Sequence, residues 1–154
     1  MAYKESVRNE ELWAWSGLSY FWNVSSNVGY TCQNKEDDVL LIQFFLNRVF
    51  DAIEKDIYMT GTPPKRLVPD GDFGGKTWGA IKWYQKAVGC VADGMISSAD
   101  GTRDRTPKHG KLYTIHELNI WYQYYYPAFF QDLRADPGLP TVLCSHLSAP
   151  PPEL

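Results

Sequence analysis

The chain has 154 residues, a formal charge of −3, 44% apolar and 15% aromatic side chains. That is the length of one domain, with enough apolar surface to offset chain entropy, so wholesale disorder is excluded. With 15 Lys+Arg scattered among 18 Asp+Glu, no basic stripe exists to displace counterions, and nucleic acid is not expected as a partner.

At the N-terminus, Lys4, Glu5, Arg8, Glu10 and Glu11 interrupt the apolar run that a signal peptide needs. The expectation is a protein that is cytoplasmic as synthesised. A removed leader, or export by a route that reads no leader, is the alternative. Asn9 followed by Glu10-Glu11 predicts a capped helix start, and Ser25-Ser26-Asn27 with Gly29 predicts its stop and a turn. Between them lie Trp13, Trp15, Tyr20, Phe21 and Trp22.

The clearest predicted helix follows. Asp37 or Asp38 can cap it, and Val39, Ile42, Leu46, Val49, Phe50 and Ile53 recur on one face. Leu40, Leu41, Phe44 and Phe45 occupy its other sides, so the helix is buried and its back requires cover from the aromatic terminal segments. The stretch is no membrane span, because Gln43, Asn47 and Arg48 interrupt it and a span needs about 20 mostly apolar residues.

Gly61 to Arg66 reads as loop. Asp70-Gly71-Asp72-Phe73-Gly74-Gly75 is a glycine-rich turn feeding a helix from about Gly75 to Val88, with Thr77, Ala80, Ile81, Tyr84 and Val88 facing inward and Gly89 closing it. Asp93-Gly94 and Asp100-Gly101 are further Asp-Gly turns, and Arg103 to Lys111 is polar loop. Thr114 and Glu117 have capping-box spacing and open a helix carrying Ile115, Leu118, Tyr122, Tyr125 and Tyr126. Pro127 ends or kinks it, Ala128 to Leu133 suits another helical turn, Pro140 can start a last helix through His146, and Ala149 to Pro152 reads as an extended tail.

Several of these fragments, taken in order, resemble the peptidoglycan-binding-like family of small three-helix modules. They are Val39-x-x-Ile42-Gln43-x-x-Leu46, then Asp70-Gly71-x-Phe73-Gly74-x-x-Thr77-x-x-Ala80-Ile81-x-x-Tyr84-Gln85 with Gly89, then Asp93-Gly94. The resemblance covers 39–96 and implies a mainly α fold: a three-helix core with helical N- and C-terminal extensions packed on it. The organisation expected is a single domain over 1–154, with an aromatic extension at 9–36, the core at 39–96, a helical extension at 112–147 and a Pro-rich tail at 148–154. The chain departs from the family pattern in a longer link before Asp70, in Cys90 where leucine is usual, and after Asp93-Gly94. There the family opens its third helix, so that helix is either missing or displaced into the Thr114 segment.

Catalytic chemistry finds no constellation. His109, His116 and His146 are dispersed without zinc spacing, and His116 is expected at the surface or half-packed. Glu117 reads as a cap, and Asp70 with Asp72 as turn-capping residues, because the other oxygen ligands of a calcium loop are missing. Cys32, Cys90 and Cys144 form an odd set without CxxC spacing and are expected to be reduced. No cofactor, no metal and no enzymatic activity are expected; a small cell-wall hydrolase would need an unfamiliar site in the C-terminal segment.

Binding has better material. Trp78 lies off the inward stripe beside Lys82 and Gln85, and an aromatic face with amide and carboxylate neighbours suits a sugar ring. Asp70, Asp72, Trp78, Lys82 and Gln85 are therefore the candidate ligand residues. Trp83, on the opposite flank, reads as packing, and at least one of the two tryptophans is expected to be buried by residues outside 39–96. The resemblance implies a non-catalytic module that binds cell-wall glycan or stem peptide. The alternative is a structural or adaptor subunit of a phage-like or contractile-injection assembly, favoured by the density of Trp and Tyr.

Overall fold

The computed structural model describes residues 2–56, 61–106 and 108–147. The fold is mainly helical with a small two-stranded sheet. The predicted Pro-rich tail lies outside the described residues.

The N-terminal segment holds more than the predicted helix. Strand β1 (Tyr3–Ser6), helix α1 (Glu10–Ser16) and strand β2 (Tyr20–Asn23) form an antiparallel pair bridged by a short helix, with Tyr3 opposite Asn23 and Ser6 opposite Tyr20. Asn9 caps α1 as expected, accepting from the Leu12 N–H at 2.8 Å. The helix stops at Gly17 (φ 72°) rather than at Ser25–Asn27. Tyr20-Phe21-Trp22 is then free to run as pleat, where aromatic side chains pack well.

Helix α2 (Glu36–Ile53) is buried almost throughout, as its pattern requires. Asp38 does not cap it. Instead its carboxylate accepts from the backbone and hydroxyl of both Ser25 and Ser26 at 2.8–3.0 Å, pinning the exit of β2 to the first turn of α2. The back of α2 is covered by helix α4 (Thr114–Tyr125): the Tyr122 ring sits 5.7 Å from Phe44 and 5.1 Å from Phe45. The chain then passes through helix α5 (Pro127–Phe130) and a 3-10 turn (Leu133–Ala135) to helix α6 (Thr141–His146). Asn119 on α4 docks the sheet, accepting from the Trp22 N–H at 2.7 Å and donating to its carbonyl at 2.9 Å. Buried Asp136 receives Arg48 at 3.0 Å and the Tyr122 hydroxyl at 2.7 Å, joining α2 to the C-terminal segment.

Helix α3 (Gly75–Val88) has its predicted limits, closed by Gly89 at φ 82°. Two glutamines fasten the joints on either side of it with one geometry. Gln43 on α2 donates to Asp70 Oδ1 (3.1 Å), the Asp72 carbonyl (3.2 Å) and Thr77 Oγ1 (3.2 Å), and accepts from Gly71 N–H (3.0 Å). Gln85 on α3 donates to Asp93 Oδ1 (3.1 Å), the Met95 carbonyl (2.9 Å) and Thr114 Oγ1 (3.1 Å), and accepts from Gly94 N–H (2.8 Å). Both turn glycines lie at positive φ, 77° and 72°, which glycine adopts without strain.

Thr114 is therefore to α4 what Thr77 is to α3. The capping box read from Thr114 and Glu117 is not formed: the threonine hydroxyl faces Gln85, and Glu117 accepts from the Trp121 indole at 3.1 Å. The seven positions from Asp70 to Thr77 become twenty-one from Asp93 to Thr114. The added chain is a strap tied to the N-terminal segment. Val28 bridges Ile96, Asn23 donates to the Ala99 carbonyl, and the Arg8 and Asn9 N–H groups share the Gly101 carbonyl. Gly101 is needed here because a β-carbon would run into the Ser6 carbonyl.

His116 is neither at the surface nor half-packed, as was expected of it. It is fully buried against Phe21 and Tyr113, ring centroids 4.6 and 5.5 Å away. Burial lowers its pKa to about 4, so the imidazole is neutral at physiological pH. The sequence places it on the first turn of α4, and only the arrival of β2 encloses it.

Candidate functional site

The exposed turn before α3 is where the candidate site begins. Asp70 Oδ1 accepts from the Asp72 N–H at 2.9 Å and from Gln43, and these hold its carboxyl below the usual carboxylate range. Asp72 gives its carbonyl to Gln43 and leaves its carboxylate at the surface. The two aspartates, with Phe73 and the start of α3, line a depression of about 280 Å3.

Beyond Phe73 the surface turns aromatic. Tyr30 meets the edge of Phe73 at 5.4 Å and leans on Trp78 at 5.4 Å. Lys82, one turn further along α3, places Nζ 4.4 Å over the Trp78 ring, a cation–π contact. Trp78 itself lies against Gly94, where a β-carbon would strike its indole. Asp70, Asp72, Trp78 and Lys82 are thus linked through Phe73 and Tyr30 into one surface.

Gln85 is not part of that surface. It is 1% exposed and its amide meets four partners within the chain, so it holds the joint and cannot reach a ligand. Tyr30 is not among the residues the sequence marks; its signal is a lone aromatic between turn residues, legible only once Trp78 is its neighbour. Trp83 packs edge-on against Phe50 at 5.4 Å. Both tryptophans are half-buried, and the cover over Trp78 comes from Tyr30, outside 39–96, without enclosing the ring.

Other openings are less suited to a ligand. A groove of about 990 Å3 between α2 and α4 is lined by both signs of charge, but Asp56 accepts from Tyr125 and Asp51 pairs with Arg66. Reactive groups are muted. Burial raises the Glu117 carboxyl and pushes the Cys90 thiol up to about 12, leaving a protonated, poorly nucleophilic sulfur. The three cysteines are free. Among the described residues, no three His, Cys, Asp or Glu side chains group as metal ligands, and no helix is long and apolar enough to cross a membrane.

Comparison with family models, with curated proteins and with solved structures finds no match.

Proposed function

We propose that this protein is a non-catalytic binding module for bacterial cell-wall peptidoglycan, glycan or stem peptide. In this reading α2, α3 and α4 are the three helices of a peptidoglycan-binding-like core, with α4 displaced by the strap. The observation that carries it is the pair of glutamine joints. The motif residues Gln43, Asp70, Gly71, Thr77, Gln85, Asp93 and Gly94 build the joints, leaving Asp72 exposed and Trp78 and Lys82 half-exposed beside them. A turn carrying a carboxylate, followed by a helix carrying an aromatic ring and an ammonium group, provides the polar groups and the apolar face that a saccharide or peptide site needs.

Purified sacculi incubated with the protein and sedimented test this directly. Retention that falls on Trp78→Ala or Asp72→Ala, neither of which removes a side chain that hydrogen-bonds in a joint, with the melting temperature of each variant unchanged, supports the reading. Absence of retention by the unmodified protein refutes it.

A second reading has one observation in its favour. Trp13 and Trp15 on α1 remain 59% and 44% exposed, and tryptophan is enriched in the buried centres of protein interfaces. An adaptor subunit in a larger particle would use them. A stoichiometric complex recovered from lysate and lost on Trp13→Ala, with no sacculus retention, is the result this reading expects.

A further inference from the structure

The one aromatic side chain of the candidate surface that lies outside 39–96 is Tyr30. It is 57% exposed, and its backbone is held in a manner out of proportion to a surface loop. Val28 pairs with Ile96 through two hydrogen bonds, 2.9 and 2.8 Å. Asn34 clasps the loop from within, accepting from Gly29 N–H at 2.9 Å and donating to the Gly29 and Cys32 carbonyls at 2.8 and 3.3 Å. Gly29 lies so close to Met95 that a β-carbon there would sit 3.1 Å from it.

Two residues other than glycine adopt the left-handed region here: Thr31 at φ 63° and Asn34 at φ 51°. Asparagine tolerates this conformation, but a β-branched threonine does not adopt it without strain. Such strain persists only where the surroundings over-determine it, and it clusters at active sites, ligand clamps and switch regions. What the loop aims is the Tyr30 ring, set against Phe73 and Trp78 and short of being buried by either.

We propose that Tyr30 is a stacking platform for a pyranose ring of an N-acetylated amino-sugar glycan, delivered to the site by the N-terminal extension. The inference rests on the cell-wall reading above and names both the ligand class and a residue outside the resembling segment. The ring is flat and exposed, and across Trp78 lies a group that can hydrogen-bond hydroxyls, the Lys82 ammonium. A sugar offers an apolar C–H face to such a ring and hydroxyls to such a group. An extended peptide would be better served by a sheet edge or an apolar groove, and the aromatic surface provides neither.

The test uses the whole chain with three variants, Tyr30→Ala, Tyr30→Leu and Tyr30→Phe, and two probes. The probes are sedimented sacculi and a soluble N-acetylglucosamine tetramer followed by tryptophan fluorescence. Tyr30→Ala and Tyr30→Leu should weaken both interactions about tenfold, the size of effect expected from one aromatic contact, while Tyr30→Phe stays close to the unmodified protein. Leucine keeps apolar contact with Trp78 and so separates lost stacking from a collapsed loop. If the unmodified protein binds sacculi and Tyr30→Ala binds them equally well, Tyr30 is no platform, although the cell-wall reading survives. Binding of sacculi and of free stem peptide, but not of the tetramer, overturns the glycan assignment. An unmodified protein that binds no probe overturns both.

Discussion

Replacing Gln85 by alanine tests whether the glutamine joints hold the fold together. The side chain is 1% exposed and engages four partners between 2.8 and 3.1 Å. Truncation leaves the Gly94 N–H buried without a partner and removes a donor from the Thr114 hydroxyl and from the Met95 carbonyl. A buried polar group left unpaired costs about 1–3 kcal/mol. Solvent can reach Asp93, which lies at the surface, so the total expected is about 3 kcal/mol. For a chain of this size that corresponds to a fall in melting temperature of roughly 6–12 °C. Thermal unfolding followed by circular dichroism reads it, with Gln43→Ala as the companion variant. The two joints share one geometry, so the two losses should agree within about 1 kcal/mol, the scatter of comparable hydrogen-bond deletions. A Gln85→Ala melting temperature within about 2 °C of the unmodified protein would refute the claim that these amides fasten the helices.

Further expectations concern buried groups. His116 titrates near 6.5 in the open chain and at about 4 in the fold. The unfolded chain therefore binds the extra proton first between those values. Stability is complete above about pH 6.5 and declines by about 3 kcal/mol as pH falls to 4; urea midpoints across that range measure it, and His116→Leu should flatten the slope. Asp38→Ala removes the acceptor of four hydrogen bonds from Ser25 and Ser26. It should cost about 3 kcal/mol and raise amide exchange at Ser25 and Ser26 ahead of α3. Gly101→Ala drives a methyl group toward the Ser6 carbonyl, so the strap must shift; the expected sign is loss of exchange protection at the Arg8 and Asn9 amides with α3 unchanged.

Much of the fold could be read along the chain because its causes are local. The limits of α3 follow from Gly75 and Gly89, the burial of α2 from apolar residues on all its sides, and the cap of α1 from Asn9. The two strands were not legible. Four residues are too few to establish an alternation, and Tyr20–Asn23 becomes a strand only because Tyr3–Ser6 returns to pair with it. Asp38, Thr114 and Glu117 each stand at a helix start, where local chemistry offers a cap; Asp38 and Thr114 instead meet partners on other segments, and Glu117 takes the Trp121 indole one turn along its own helix.

The candidate site divides in the same way. The sequence by itself determined the Asp-Gly turns and the pair of glutamines, since turn chemistry and helical spacing are properties of neighbouring residues. Tertiary structure decided which of those residues still face solvent. Gln85 faces inward because α4 brings Thr114 to its amide, and Tyr30 comes to Trp78 because Val28 pairs with Ile96 across 68 positions of chain. Contacts at that separation leave no mark in local pattern, because the packing that creates them is the sum of many weak burials and not the preference of any one residue.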